Sequence, residues 1–248
     1  MKKLLKKLIP YAFIEKVRSH KPFFMHQKLS FSQSGEDLIL EHVFRALRIN
    51  GNINYCDIGA NMPWAISNTA KFYLNNDHKY IGVLVEPDPI LSSILKCKRS
   101  KDKVVNCGIK SNDVDENMLN FYMINPSTLN TFSKTEAENY KELGYKIKEI
   151  QQVKVININT LLKEYFINQQ LHFLSIDVEG LDYDILSSLN FNLFRPICIC
   201  IETINFVKSG MATKDLRILE LLEENGYFEF AFTGINSIFI DVAKWNNR

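Results

Sequence analysis

The chain has 248 residues, 46% of them hydrophobic and 23% charged, a balance that supplies one large α/β domain with a buried core and excludes a disordered or fibrous chain. The net charge of +2 is unevenly placed: residues 1–28 carry eight Lys/Arg against the single acid Glu15, a net of +7, and residues 29–248 carry a net of −5. An acidic body argues against nucleic acid as the partner, because neutralising phosphates takes clustered Lys/Arg on the folded surface.

Met1 to Ile9 (MKKLLKKLI) puts Leu4, Leu5, Leu8 and Ile9 on one side of a helix and Lys2, Lys3, Lys6 and Lys7 on the other. Two readings stay open for this arm: a basic amphipathic segment on an anionic membrane face, with peripheral contact through residues 1–18, or a terminal helix docked on the body. It is too short for a signal peptide and has no small-residue cleavage site. Nowhere do about 18 consecutive apolar residues occur, the length a membrane-spanning helix needs.

The body begins at FSQSGEDL, where Ser34 followed by Asp37 has the spacing of a capping box, launching a helix whose apolar side is Leu38, Leu40, Val43, Phe44 and Leu47. Asn50-Gly51 ends it. Strand-like runs then alternate with helical ones: strands at Ile53–Ile58, Tyr80–Val85, Lys103–Asn106, His172–Ile176 and Pro196–Ile201, and helices near 67–75, 89–99, 159–168, 181–188 and 213–225. Such alternation predicts an α/β fold with a mostly parallel sheet and helices on both faces. Tyr227–Phe232 and Ser237–Asp241, joined by a turn at Thr233–Asn236, predict an antiparallel edge hairpin. Residues 110–157 break the alternation with β-like Met118–Ile124 and Gln151–Ile158 around a polar helix at Ser133–Leu143. This reads as an insertion beside the ligand crevice. The chain thus divides into an arm, 1–28, and one domain, 29–248.

Candidate chemistry gathers at strand ends. The first strand runs into Asp57, Gly59 and Asn61 (DIGAN), a close-approach turn without the second and third glycines that bind a pyrophosphate. A cofactor lacking a pyrophosphate, such as S-adenosylmethionine (SAM), fits better. The second strand ends at Glu86, an acid placed to accept from both ribose hydroxyls. After the third, Asn106 or the backbone around Cys107 can reach an adenine ring. Asp177, Glu179 and Glu202 end the fourth and fifth strands, and three acids at one rim suggest a general base for a hydroxyl or oxygen ligands for Mg²⁺. Asp182 and Asp184 read as first-turn acids of a helix. Cys198 and Cys200 share one strand face, and the five cysteines form no metal motif and point to a reducing cytosol. His20, His26, His42, His78 and His172 have no metal spacing.

In this order, FSQSGEDLIL, YCDIGAN with SNTAKFY, GVLVEPDP, VVNCGI, STLNTF, LHFLSIDVEGLDYDIL and RPICICIET resemble the FkbM-type methyltransferases, from about Phe31 to Asp241. The resemblance implies a class I methyltransferase, Rossmann-like fold that binds SAM and commonly methylates hydroxyls of sugars or polyketides. It places Asp57, Gly59 and Asn61 at the methionine side of the pocket, Glu86 at the ribose, and Asp177 and Glu179 in the motif of the fourth strand. The expected reaction is O-methylation of a sugar or glycan, lipid-linked or nucleotide-linked, by a cytoplasmic enzyme in surface-polysaccharide or natural-product biosynthesis. Two departures stand out. Met62-Pro63 occupies a loop where relatives often have His-Pro. Asp177 and Glu202 also resemble the Mg²⁺ ligands of macrolide-sugar O-methyltransferases, but Thr203 follows Glu202 where those have Asp. The competing readings are a nucleotide-dependent oxidoreductase, for which a Tyr/Lys couple is missing, and a non-catalytic, membrane-apposed glycan-binding protein.

The membrane reading of the arm predicts that the full chain co-sediments with anionic vesicles at low salt and is released at high salt. Deleting residues 1–18 should abolish sedimentation; if the deletion unfolds the protein instead, the docked helix is correct.

Overall fold

A computed structural model describes residues 27–49, 51–76, 79–205 and 213–248; residues 1–26 of the N-terminal arm, Asn50 and three of the five histidines (His20, His26 and His78) lie outside the described residues. A seven-stranded sheet forms the centre. Its strands are β1 (Tyr55–Ile58), β2 (Gly82–Val85), β3 (Lys103–Val105), β7 (Phe173–Ile176), β8 (Cys198–Glu202), β11 (Tyr227–Phe232) and β12 (Asn236–Asp241), in the order β11-β12-β8-β7-β1-β2-β3. The five strands from β3 to β8 are mutually parallel, and β12 runs antiparallel to both β8 and β11. The predicted hairpin therefore closes one edge, with β12 inside and β11 outermost.

Strands with helices on both faces bury every residue, which is why YCDI, GVLV and FLSI are fully buried. Alternate side chains feed two cores. Cys56, Ile58, Ile199 and Ile201 pack under α5 (Ile158–Phe166) and α7 (Leu216–Glu224). Tyr55, Cys198 and Cys200 pack with α1 (Glu36–Ala46) and α3 (Pro89–Lys98). Each fully buried Leu, Ile or Phe stabilises the fold by about 1.5–3 kcal/mol. Four of the cysteines are buried and all five are free thiols, with Cys97 exposed.

The capping box at the start of α1 does not form. Gly35, at φ 88°, turns the chain into the helix, and Ser34 makes no side-chain cap. Instead Asp37 draws in the preceding loop, accepting from Ser30 Oγ at 2.6 Å, Phe31 N at 2.9 Å and Ser32 Oγ at 3.1 Å. The buried Glu36 reaches 200 residues along the chain, accepting from Thr233 Oγ1 at 2.7 Å and Asn236 Nδ2 at 3.1 Å. Glu36 thus ties α1 to the edge hairpin, and Asp37 ties it to the loop before it.

The insertion is a small sheet of its own, ordered β4-β6-β5, from β4 (Gly108–Lys110), β5 (Met118–Asn125) and β6 (Lys146–Asn157), with α4 (Lys134–Glu142) between the long strands. Two boundaries differ from the sequence reading. β4 is an additional strand, and β6 starts at Lys146, where an exposed ribbon leaves Ile150 in solvent and blurs the apolar alternation. Ile158 opens α5 rather than closing β6. Tyr122, Ile124, Ala137 and Tyr140 form a satellite core that seats α4 on the ribbon.

Behind β1 lies a buried charge network with no signal in the sequence. Arg99, 1% exposed, pairs with Asp102 at 2.8 Å and donates to Tyr55 Oη at 3.1 Å, Thr69 Oγ1 at 3.2 Å and the Pro63 carbonyl at 3.2 Å. Its guanidinium also lies 4.6 Å from the Tyr73 ring centroid. Arg99→Ala should cost about 3–5 kcal/mol in chemical denaturation by leaving Asp102 buried and unpaired, whereas Arg99→Met with Asp102→Leu should cost markedly less.

Candidate active site

A cavity of about 420 Å³ opens at the carboxyl ends of β1, β2, β7 and β8, roofed by the insertion. This is where open α/β sheets bind ligands, beside the point at which strand order reverses. Gly59 makes the approach possible. With φ at 86°, its Cβ position lies 1.8 Å from the Asp177 carbonyl oxygen, so any other residue would push β1 off β7. Asn61, at φ 47°, continues the turn; its N–H donates to Glu86 Oε2 at 2.8 Å and its Nδ2 to the Ser127 carbonyl at 3.2 Å. Asn61 lines the cavity, and its Oδ1 is buried with no hydrogen-bond partner. Ile66, a β-branched residue at φ 53°, stands half exposed at the rim, a strained conformation of the kind that collects at functional sites.

Glu86 is 4% exposed and lines the same cavity. Its two oxygens accept from Asn61 N and from Asp88 N, each at 2.8 Å, leaving further lone pairs on both. Burial pushes its carboxyl up to about 7 against those donors. Gly108 also lines the wall, with its Cβ position 2.3 Å from the Phe132 ring, so the insertion lies directly on the third strand's exit.

Two sequence candidates lie elsewhere. Asp57 does not line the cavity. It points behind the turn, accepting from Thr69 Oγ1 at 2.7 Å, and burial raises its carboxyl. Through Thr69 it joins the Arg99 network, so it shapes the turn from the rear. Asn106 is exposed and outside the cavity, its Nδ2 donating to the carbonyls of Glu86 at 2.8 Å and Pro87 at 2.9 Å; that leaves Cys107 as the lining residue there.

Asp177, Glu179 and Glu202 do come together: each offers an oxygen, and these atoms lie within 4.8 Å of one another. The turn after β7 brings them there. Glu179 and Gly180 both take positive φ, 53° and 93°. Asp182 accepts from Val178 N at 3.2 Å and Gly180 N at 3.3 Å, so it clamps this turn rather than serving only as a first-turn acid. The insertion completes the site. Tyr140 donates its hydroxyl to a Glu179 oxygen, and Thr131 Oγ1 donates to the Glu179 carbonyl at 2.8 Å. Burial, then repulsion from Glu179 and Asp182, holds Asp177 well above the usual carboxylate range. Glu179 is pushed up to about 7 by burial, tempered by the Tyr140 bond, and Glu202 up to about 10 by burial and its four acidic neighbours, Asp177, Asp182, Glu179 and Glu136. Tyr140 was not legible as a site residue; its only signal was membership of the insertion's polar helix.

The strand order, the single antiparallel strand between β8 and β11, and a cavity over the tips of β1 and β2 define the class I methyltransferase fold, a Rossmann-like α/β architecture. Residues 57–228 match the Methyltransferase FkbM domain, and the chain belongs to the FkbM methyltransferase family. Among solved structures it is similar to methyltransferase FkbM from Methylobacillus flagellatus KT (13% identity, TM-score 0.43, covering 76% of this chain and 43% of that one). It is also similar to 1,6-didemethyltoxoflavin-N1-methyltransferase from Burkholderia thailandensis, solved with S-adenosylhomocysteine (8%, 0.37, 92% and 84%). A third is magnesium protoporphyrin IX methyltransferase from Synechocystis PCC 6803, solved with SAM (10%, 0.36, 96% and 94%). The chain spans less than half the length of the first of these. No curated protein matches it.

The raised carboxylates fix a sign for pH. Asp182 (about 6), Glu86 (about 7) and Glu179 (about 7) hold protons in the folded state that they lose when unfolded. Their contribution to stability is present at low pH and fades as pH rises through those values. Denaturant titration of the ligand-free protein should show stability falling by several kcal/mol between pH 5 and pH 8; a rise over that interval contradicts the assignment.

Proposed function

We propose that the chain is a SAM-dependent methyltransferase acting on a hydroxyl of a sugar or glycan. The observation that carries this reading is the juxtaposition of one cavity with two kinds of carboxylate, a single one at the tip of β2 and a trio at the tips of β7 and β8.

The residues present fit such a cofactor. Glu86 keeps lone pairs free on both oxygens for a ribose diol, and the unpartnered Asn61 Oδ1 needs a donor, which an ammonium group provides. SAM supplies a sulfonium methyl already activated for transfer. What remains for the chain is to orient a nucleophilic oxygen and take its proton. Asp177 is the base in this reading, since burial and its acidic neighbours make it proton-avid. Glu179, fixed by Tyr140, assists, and Glu202 accepts a hydrogen bond from the acceptor.

A divalent cation offers a second way to relieve the crowded trio. Asp177 and Glu202, with Glu179, would hold a hard ion such as Mg²⁺, whose place would be to lower the acceptor hydroxyl's pKa. Thr203, buried and hydrogen-bonded to Ser237 at 2.7 Å, offers no carboxylate to it.

We place the protein in the cytoplasm, its basic arm against the membrane's inner face, serving a lipid-linked or nucleotide-linked glycan. No helix of the described residues is long and apolar enough to cross a membrane.

Calorimetry and a labelled-methyl assay on pooled glycan acceptors test this reading. Glu86→Ala should weaken SAM binding by about 1–3 kcal/mol. Asp177→Asn should bind SAM normally yet lose about 10²–10⁴ in turnover. Inhibition by chelator, reversed by Mg²⁺, selects the metal version; indifference to chelator selects the metal-free base. Unchanged turnover in Asp177→Asn removes this residue from the mechanism.

A further inference from the structure

Two of the acid trio, Glu179 and Glu202, have a second side. A smaller cavity, about 110 Å³, lies next to the main one, and Glu136, Tyr140, Glu179 and Glu202 line both. The far wall of the smaller cavity comes from α6 (Asp182–Ser187) and the start of α7, through Tyr183, Arg217 and Ile218. The methionine-side residues Gly59 and Asn61 line only the main cavity. Glu179 and Glu202 therefore stand between a cofactor-sized space and a space of another kind, with the proposed base Asp177 beside them on the main-cavity side.

The size and chemistry of that space are specific. With a water-sized group needing about 10–15 Å³ on this measure, it admits on the order of eight such groups, a single ring and not a chain. Its lining combines apolar groups, Tyr183 and the buried Ile218 among them, with several carboxyls. Its only cation among the described lining residues, Arg217, is committed: Nε donates to Asp215 Oδ1 at 2.9 Å, Nη2 donates to Asp215 Oδ2 at 2.5 Å, and the guanidinium lies 4.4 Å from the Tyr183 ring centroid. A phosphate or carboxylate placed here would face a cluster of acids with no uncommitted cation among the described lining residues, whereas hydroxyls can donate to the acids while a ring's C–H groups meet Tyr183 and Ile218.

We infer that this smaller cavity is the acceptor subsite and that it takes one uncharged, polyhydroxylated ring, so that any phosphate or carboxylate of the acceptor lies outside it. This rests on the methyltransferase reading above and adds where the acceptor ring sits and that it is uncharged.

Saturation-transfer NMR on the full chain, with and without SAM, tests it using methyl glycosides of mannose, galactose and rhamnose against glucuronate and glucose 6-phosphate. At least one neutral glycoside should bind and the two anions should not. Tyr183→Ala should weaken that binding about tenfold, equivalent to about 1.4 kcal/mol, while Tyr183→Phe stays near wild type. Calorimetric affinity for SAM should be the same in all three proteins. Anions binding as well as neutral sugars, no neutral sugar binding, or Tyr183→Ala binding normally overturns the subsite. A chain that binds the sugars as described but never SAM overturns the methyltransferase reading instead.

Discussion

The tips of β1 and β7 touch backbone to backbone, and only glycine allows it. The carbonyl of Asp177 occupies the position a side chain at residue 59 would need, 1.8 Å from its Cβ. Because the strands close this tightly, the turn after β1 and the turn after β7 face each other across a narrow gap. Asn61 and Glu86 then line one part of a shared cavity, and Asp177, Glu179 and Glu202 line another. A wider separation would move the trio away from Asn61 and Glu86 and leave the turn after β1 without its backing.

Packing acids this closely opposes stability, and the surrounding structure is arranged to hold them. Asp182 clamps the turn through two backbone N–H groups, Tyr140 and Thr131 reach down from the insertion, and Glu202 is fixed at the end of a strand paired on both sides. Behind β1, Arg99 lowers the cost of burying Asp57 while Asp102 balances Arg99. Charge is thus compensated at the rear of the sheet and left uncompensated at the rim. Neutral residues of the same size would repel less at this rim, so the acids by themselves oppose the fold.

Much of this architecture is legible in the sequence because burial on both faces leaves a simple record. Four strands read as short apolar runs ending in DIG, VEP, IDVEG and IET, and Gly59, Glu86, Asp177, Glu179 and Glu202 follow from where such strands end. What is not legible depends on contacts between distant segments. Arg99 meets Tyr55 and Thr69 across 44 and 30 residues, and Tyr140 meets Glu179 across 39, distances over which no periodicity carries information. Asp57 and Asn106 share strand ends with true lining residues, but the pleat and local hydrogen bonds turn them away. Ser34 has a capping spacing, yet Gly35 in the left-handed region starts the helix in its place.

The central claim is that the rim carboxylates serve chemistry at the expense of the fold. Chemical denaturation at pH 8 of the ligand-free chain carrying Asp177→Asn, Glu179→Gln and Glu202→Gln together tests it most directly. The account predicts a protein more stable than wild type by about 1 kcal/mol or more, because at this pH the buried wild-type acids must either hold protons that the unfolded chain releases or carry desolvated charge, and the amides keep the hydrogen-bonding shape at neither cost. A variant clearly less stable than wild type would show that these acids hold the structure together, and would contradict the account.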